Sequence, residues 1–271
     1  MFRTRLISGI VLVILAVALI VTGSDVLLVS TGLISLIGMF ELYRVFKVEK
    51  SLLAGVGYLA AIAYYLNLRF EFIDKAFVIP VVLLVLAMMV FVLSYPKYHT
   101  EQILAVFFGF FYVSVMLSYV YQIRQMNHGV YIAFLIFSCS WGCDTCAYCV
   151  GKLCHKTIGT HKMSPVLSPN KSIEGAIGGV LGASLLSFLF CYIFRMEMGF
   201  GVKELALIAI TSAVAGLVSM IGDLMASAIK RNYDIKDYGK LIPGHGGIMD
   251  RFDSMIIIAP IIYYMAHYFV L

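Results

Sequence analysis

The stretch from Leu205 to Ile229, LALIAITSAVAGLVSMIGDLMASAI, decides the class of fold. It consists of apolar and small residues, and Asp223 is its one charged residue. A helix needs about 20 such residues to cross the hydrocarbon core of a bilayer, which is about 30 Å thick. The stretch is long enough for this. The sequence therefore predicts a membrane-spanning helix that carries a carboxylate.

The whole chain has the same apolar character. Of its 271 residues, 62% are hydrophobic and 13% are charged, and the mean hydropathy is +0.96. Soluble domains are about 45–50% apolar and about 25% charged. So few polar side chains cannot cover a globule of this size in water, and this excludes a soluble fold. The bilayer is the expected solvent.

Nine apolar runs of about this length are separated by charged residues, Pro or Gly. The runs are Leu6–Thr22, Val26–Phe46, Leu52–Leu68, Phe77–Tyr95, Ile103–Ile123, Val130–Val150, Ile173–Phe194, Leu205–Ile229 and Ser254–Leu271. The sequence therefore predicts an all-α, polytopic integral membrane protein of about nine transmembrane helices. No soluble domain interrupts them, and we interpret residues 1–271 as a single transmembrane domain.

The distribution of positive charge predicts the orientation of these helices. Successive connections between the nine runs lie on alternate sides of the membrane. Of the 20 lysines and arginines, fifteen then fall on the side of the N-terminus and five on the opposite side. Positive residues near the ends of spans stay on the cytoplasmic side. The N-terminus is therefore expected in the cytoplasm and the C-terminus outside. The five outer residues are Arg69, Lys75, Arg124, Arg195 and Lys203.

Two aspartates lie within the predicted spans. A carboxylate there costs about 2.5–3.5 kcal/mol on insertion scales, so Asp144 and Asp223 are functional candidates. Each is followed on its own helix face by positive charge: Lys152 after Asp144, and Lys230 and Arg231 after Asp223. The pattern indicates a polar cleft that opens to the cytoplasm. The alternative is that each aspartate pairs with a lysine of a neighbouring helix for packing alone.

A long cytoplasmic connection before the last span is rich in glycine and aspartate. It contains His245, Gly246 and Gly247, and successive glycine N–H groups can converge on an anion. Asp250 and Asp253 follow at a spacing that places them on one helix face, and such hard oxygen ligands suit Mg²⁺. The alternative for both aspartates is helix capping in the first turn.

The earlier long connection, near Gly151–Ser172, ends in hydroxyl groups and a cation. Ser168, Lys171 and Ser172 stand just before a predicted helix, where a phosphate or nucleotide can bind. The alternative is a Pro-rich turn with Ser172 as the N-cap. The cysteines of the stretch Cys139–Cys154 run mostly along an apolar helix, which favours packing over a zinc site.

Beyond these patterns, the segment Ser227–Asp253, SAIKRNYDIKDYGKLIPGHGGIMDRFD, resembles the signature of the phosphatidate cytidylyltransferases, the CDP-diacylglycerol synthases. The upstream block from Asp144 to Gly175 is also similar to that family. Two departures lie upstream: the chain is a few residues longer between Lys152 and His161, and Ser172 replaces the usual Thr. The first five spans match the family only in being hydrophobic.

The resemblance implies the reaction of CTP with phosphatidate to give CDP-diacylglycerol and pyrophosphate, with Mg²⁺ held by Asp223 and Asp250. Residues 130–271, helices six to nine, are then the catalytic part, and residues 1–129 supply helices one to five. Catalytic phosphate binding is expected from Lys171, Lys230, Arg231 and Arg251. Other substrate contacts are expected from Ser168, Ser172, Lys152, Lys236, His245, Gly246 and Gly247. A second cation, or the orientation of the cations, is expected to involve Asp144, Asp237 and Asp253.

The expected partners are CTP, phosphatidate and the lipid bilayer, without nucleic acid. The expected location is the cell membrane, with the active site facing the cytoplasm. The sequence leaves open a homodimer and the identity of a second cation. The nearest enzymatic alternative is a CTP-dependent cytidylyltransferase that acts on an ether-lipid phosphate. A cation-coupled transporter would also use buried acids, but its usual inverted repeats and broken midplane helices are missing. A purely structural membrane scaffold would not explain why Asp223 lies within a predicted span.

Overall fold

The computed structural model describes residues 2–75, 77–157 and 159–270, and it is mostly helical. The α-helices are α1 Phe2–Thr22, α2 Ser24–Val45, α3 Leu52–Phe70, α4 Val78–Leu93, α5 Thr100–Gly109, α6 Met116–Arg124, α7 Gly129–Phe137, α8 Cys143–Thr157, α9 Ile173–Ile193, α10 Arg195–Met198, α11 Val202–Asn232 and α12 Met249–Met265. Short π-helical segments join α5 to α6, join α7 to α8 and follow α12, at Phe110–Val115, Ser138–Gly142 and Ala266–Val270.

Apart from its ends, each apolar run of the sequence coincides with helical structure where the chain is described. By length and composition, six helical stretches can cross a membrane: Ser24–Val45, Leu52–Phe70, Thr100–Arg124, Gly129–Thr157, Ile173–Ile193 and Val202–Asn232. Two shorter apolar helices are Ile7–Thr22 and Val78–Leu93. The protein is thus a helical membrane protein with six candidate spans among its described residues.

The chain divides into two compact units. The first consists of Met1–Tyr121 and Asp237–Arg251, so the glycine-rich connection belongs to the same unit as the N-terminal helices. Tyr43 is fully buried in this unit, and its hydroxyl donates to the carbonyl of Val106 at 2.8 Å. A Cβ at Gly109 would overlap the ring of Tyr43. Glycine therefore lets α5 approach α2 closely enough to bury the tyrosine.

The second unit consists of Gln122–Lys236 and Phe252–Leu271. Its core includes Cys143, Ala183 and Met220, which come from α8, α9 and α11. Small residues at such interfaces let helix backbones approach closely. In lipid the hydrophobic effect does not drive helices together, so close packing stabilises their association. Cys143 is buried and its thiol lies 3.6 Å from the carbonyl oxygen of Gly216. The cysteine is thus a packing residue here.

Two features of the second unit differ from the sequence prediction. Helix α8 continues to Thr157, beyond the apolar run that ends at Val150, because its last turns are polar and exposed and need no lipid to form. The connection then forms an antiparallel hairpin of β1 Lys162–Ser164 and β2 Ser168–Ser172, which the sequence did not predict. The hairpin depends on pairing between residues on either side of the turn, and the helical periodicity of the sequence gives no information about such pairing.

Candidate active site

Lys171 and Asp223 form an ion pair in the second unit. Lys171 stands on β2, and Asp223 lies about two thirds along α11. Their side chains are 23% and 28% exposed, so both are partly shielded from water. A charge in such surroundings requires a partner of opposite sign. The pair therefore compensates the aspartate that the sequence singles out within an apolar helix.

Further charged groups surround this pair. Asp253, on α12, is buried, and its carboxylate interacts electrostatically with Asp223, Asp144 and Lys230. We call these five residues, Asp144, Lys171, Asp223, Lys230 and Asp253, the lysine–carboxylate cluster. It contains three acids and two bases. Negative charge in excess of the lysines is a feature that a divalent cation can offset.

The members of the cluster differ in exposure. Asp144 is exposed and lies within the candidate span Gly129–Thr157, while Lys171, Asp223 and Lys230 are intermediate. The carboxylate of Asp253 accepts from the backbone N–H of Ser254 at 2.7 Å. This contact is with the next residue of its own helix and differs from an N-cap contact, which reaches two or three residues on.

Ser172 ends the hairpin and begins α9. Its hydroxyl accepts from the backbone N–H of Gly175 at 3.1 Å, which makes it the N-cap of α9. Ser172 is thus an N-cap, as the capping alternative expects, and its substrate contact stays a prediction. Glu174 in the first turn accepts from the ring of His161 at 2.7 Å, so it ties the start of the hairpin to the same helix.

The other predicted residues of this unit lie nearer the surface. Lys152 is exposed, with its ammonium group 5.6 Å from the centre of the Tyr148 ring. Ser168 is partly exposed on β2. Arg231 and Lys236 are exposed near the end of α11.

The glycine-rich loop, Asp237–Met249, holds Asp250 in the first unit. Asp250 is 8% exposed, and one of its carboxylate oxygens accepts from the backbone N–H groups of Tyr238 at 2.8 Å and Gly247 at 3.0 Å. A Cβ at Gly246 would come within 2.8 Å of that oxygen, and φ is +90° there, so glycine suits the position doubly. The loop thus fixes the orientation of the carboxylate. Asp237 is exposed.

His245 is held in the same unit by the first helix. The hydroxyl of Ser8 donates to the carbonyl of Pro243 at 3.1 Å and lies 2.7 Å from Nδ1 of His245. A hydroxyl has one hydrogen, so with both bonds formed Nδ1 must be the donor to Ser8. Arg251 donates from Nε to the carbonyl of His245 at 3.1 Å. His245 and Arg251 are therefore both held in place by hydrogen bonds within the first unit.

Glu41 and Arg44, on α2, also contact the glycine-rich loop, and the sequence motifs did not single them out. Glu41 is 4% exposed and accepts from the backbone N–H of Met249 at 2.9 Å. Arg44 donates to the carbonyl of Tyr238. A signal existed, because Glu41 is an acid inside the predicted span Val26–Phe46, and the cost of intramembrane charge applies to it as it does to Asp223.

The oxygen donors of both units fit magnesium chemistry. Mg²⁺ is commonly bound by one or two carboxylates, with water and substrate phosphates completing its shell. Among residues 2–75, 77–157 and 159–270, no three His, Cys, Asp or Glu side chains form a metal site by themselves.

Comparison with known proteins supplies the family. The model of the cytidylyltransferase family matches residues 3–269. The chain is 28% identical over 269 residues to the phosphatidate cytidylyltransferase of Bacillus subtilis (strain 168), a match that covers 97% of each chain. It is 29% identical over 265 residues to that of Staphylococcus epidermidis (strain ATCC 12228 / FDA PCI 1200), covering 96% of this chain and 97% of the relative. The protein of the same name from Staphylococcus saprophyticus is 39% identical over 152 residues, which are 56% of this chain and 54% of the relative. With a match over nearly its whole length, this chain belongs to the cytidylyltransferase family.

Proposed function

We propose that this protein is a phosphatidate cytidylyltransferase, which converts CTP and phosphatidate into CDP-diacylglycerol and pyrophosphate in phospholipid biosynthesis. The observation that carries the proposal is the similarity to relatives of that name over 97% of the chain. The lysine–carboxylate cluster supports it, because the reaction brings two polyanions together, and Lys171 and Lys230 together with a divalent cation held by the carboxylates would offset their repulsion.

The chemistry requires little from the protein beyond positioning and charge. A phosphate oxygen of phosphatidate attacks the α-phosphorus of CTP, and the bond from that phosphorus to the bridging oxygen of pyrophosphate breaks. The lipid phosphate is already a nucleophile, so no dedicated general base is needed. Catalysis then rests on orientation of the two phosphates and on stabilisation of the developing charge.

We assign the roles of individual residues as follows. Asp223 and Asp250 are proposed Mg²⁺ ligands, and bound Mg²⁺ would supply neutralisation of phosphate charge. Asp223 is supported by its place in the lysine–carboxylate cluster, and Asp250 by the two loop amides that orient it. The proposed phosphate-binding cations are Lys171, Lys230, Arg231 and Arg251. The proposed substrate contacts are Ser168, Ser172, Lys152, Lys236, His245, Gly246 and Gly247, with Asp144, Asp237 and Asp253 in supporting roles.

We also propose the finer topology. Nine spans, an N-terminus in the cytoplasm and a C-terminus outside would place the glycine-rich loop and the hairpin on the cytoplasmic side, where CTP is available. Phosphatidate would keep its acyl chains in the hydrocarbon while its phosphate reaches the interface. The fifteen-to-five bias in positive charge supports this orientation.

The test is turnover by the purified protein. In detergent with Mg²⁺, we expect release of pyrophosphate that requires both CTP and phosphatidate, together with formation of a lipid that carries the cytidylyl group. Omitting either substrate is the control. An ether-linked analogue of phosphatidate tests the nearest alternative, and activity with that lipid alone would overturn the assignment of substrate. Absence of pyrophosphate release from folded protein with either lipid would overturn the proposed reaction.

A further inference from the structure

Helix α2 contacts the two ends of the glycine-rich loop with two charged side chains. Glu41 reaches Met249 at the end of the loop, and Arg44 reaches Tyr238 near its beginning. The two residues stand three positions apart, so they occupy the same face of the helix. Their charges also interact with each other. This face of α2 therefore holds the loop at two points.

The Glu41 contact is a cap supplied from another helix. Met249 is the first residue of α12, and the first N–H groups of a helix have no partner within it. Glu41 accepts from the N–H of Met249 at 2.9 Å and also from that of Ile248. A carboxylate at this end also interacts favourably with the helix dipole. Glu41 thus caps the start of α12, one residue before Asp250.

The Arg44 contact fixes Tyr238, one of the two loop residues whose N–H groups donate to Asp250. Arg44 binds the carbonyl of Tyr238, and the N–H of that same residue donates to the Asp250 carboxylate at 2.8 Å. Two glycines of the loop are needed for the arrangement, since a Cβ at Gly239 or at Gly247 would overlap the carboxylate of Glu41. The carboxylate of Glu41 therefore lies against the loop backbone.

We propose that Glu41 and Arg44 are positioning residues, which fix the glycine-rich loop and through it the orientation of the Asp250 carboxylate. Neither is proposed to touch substrate. The inference rests on the proposed function only for the role of Asp250 in binding Mg²⁺. Residues that orient a metal ligand typically change metal affinity or activity by about 10–100-fold when they are altered.

The experiment compares Glu41→Gln with Ser35→Ala in the full-length protein. The amide keeps the size of the side chain but has one acceptor oxygen, and its NH₂ group would face a backbone N–H donor. Ser35 is the matched control, because it is buried on the same helix and its hydroxyl bonds Tyr65 at 2.7 Å, away from the loop. Hydrogen exchange of loop peptides is measured without added metal, and the Mg²⁺ concentration for half-maximal turnover is measured separately.

In Glu41→Gln we expect faster exchange confined to residues 238–250 and a rise of about 10-fold or more in the half-saturating Mg²⁺ concentration. Ser35→Ala should leave both unchanged. Wild-type exchange and wild-type Mg²⁺ dependence in folded Glu41→Gln would overturn the proposal. If Glu41→Gln fails to fold, Arg44→Met tests the other end of the loop with the same two measurements and the same criteria.

The two proposals can fail separately. A wild-type protein without cytidylyltransferase turnover would overturn the proposed function, and the exchange measurement would then decide the role of Glu41 by itself. An active wild-type protein for which Glu41→Gln changes neither loop exchange nor Mg²⁺ dependence would overturn the positioning role and leave the proposed function intact.

Discussion

The ammonium group of Lys171 forms an ion pair with the carboxylate of Asp223, so strand β2 and helix α11 share one charged contact in the second unit. Neither helical periodicity nor the spacing of charges in the sequence pairs these two residues. The pair adds a partner to an acid that is expensive within a membrane-spanning helix, and it places a proposed phosphate ligand beside a proposed metal ligand.

The first prediction concerns Asp223. Asp223→Asn keeps the size of the side chain but removes the charge that would anchor Mg²⁺ and pair with Lys171. We expect turnover to fall about 10²–10³-fold, which corresponds to about 2.7–4 kcal/mol of transition-state stabilisation. Membrane insertion should not suffer, because an amide is cheaper than a carboxylate within the bilayer. The measurement is pyrophosphate release at matched levels of folded protein.

Asp25→Asn is the control for that experiment. Asp25 forms an ion pair with Arg69, and both side chains are largely exposed, at 59% and 46%. Such a pair contributes little to stability, so turnover should stay at the wild-type level. Asp144→Asn should be milder than Asp223→Asn, because Asp144 is exposed and is proposed only in a supporting role. Normal turnover in Asp223→Asn would eliminate it as a metal ligand.

A second prediction concerns the metal itself. The donors of both units are mainly carboxylate oxygens, which favour Mg²⁺ or Mn²⁺ over softer ions. EDTA should therefore abolish turnover, and excess Mg²⁺ should restore it. Alkylation of the exposed thiol of Cys149 at limiting dose should have little effect. Activity that persists in EDTA, or that follows zinc content, would contradict the assignment.

The third prediction separates the two roles of Ser172. As the N-cap of α9, Ser172→Ala should lose about 1 kcal/mol of stability, whereas Ser172→Thr should retain the cap. Ser172→Asp also supplies a good capping oxygen, but its negative charge would repel a substrate phosphate. We therefore expect Ser172→Asp to match the wild type in thermal unfolding and to lose turnover. Full turnover in this variant would restrict Ser172 to capping.

A fourth prediction uses two glycines in contrasting surroundings. A Cβ at Gly247 would overlap the buried Glu41 carboxylate, so Gly247→Ala should destabilise the protein by about 1–3 kcal/mol. Gly55 lies within α3 with no atom within 4 Å of its added Cβ, so Gly55→Ala should be neutral or stabilising by up to about 1 kcal/mol. Thermal unfolding in detergent measures both. Equal midpoints for the two variants would contradict the close contact at Glu41.

The last prediction tests topology with inserted protease sites. A site in the connection at 97–102 should be cleaved only from the cytoplasmic side, and a site at Asn127 only from outside. The reason is the bias of positive charge across alternate connections. Cleavage of both sites from the same side would overturn the nine-span arrangement.

The sequence alone determined the class of protein, the helical runs and the residues of the signature. Each of these depends on composition or on the spacing of nearby residues. A long apolar run by itself predicts a membrane-spanning helix. Asp223 stands out because no other residue of its run is charged. The Ser227–Asp253 segment likewise carries its family resemblance in consecutive residues. These properties are local, so a linear sequence suffices to reveal them.

Tertiary structure decided which distant residues meet. Glu41 binds the backbone of Met249, Arg44 binds that of Tyr238, and Lys171 pairs with Asp223. In the sequence, Glu41 is an acid inside the predicted span Val26–Phe46 and Arg44 lies near the end of that span, but neither position indicates which residues they contact. Their role depends on backbone N–H and C=O groups, which every residue has and which no sequence pattern can identify as partners. Only the packing of α2 against the glycine-rich loop selects them.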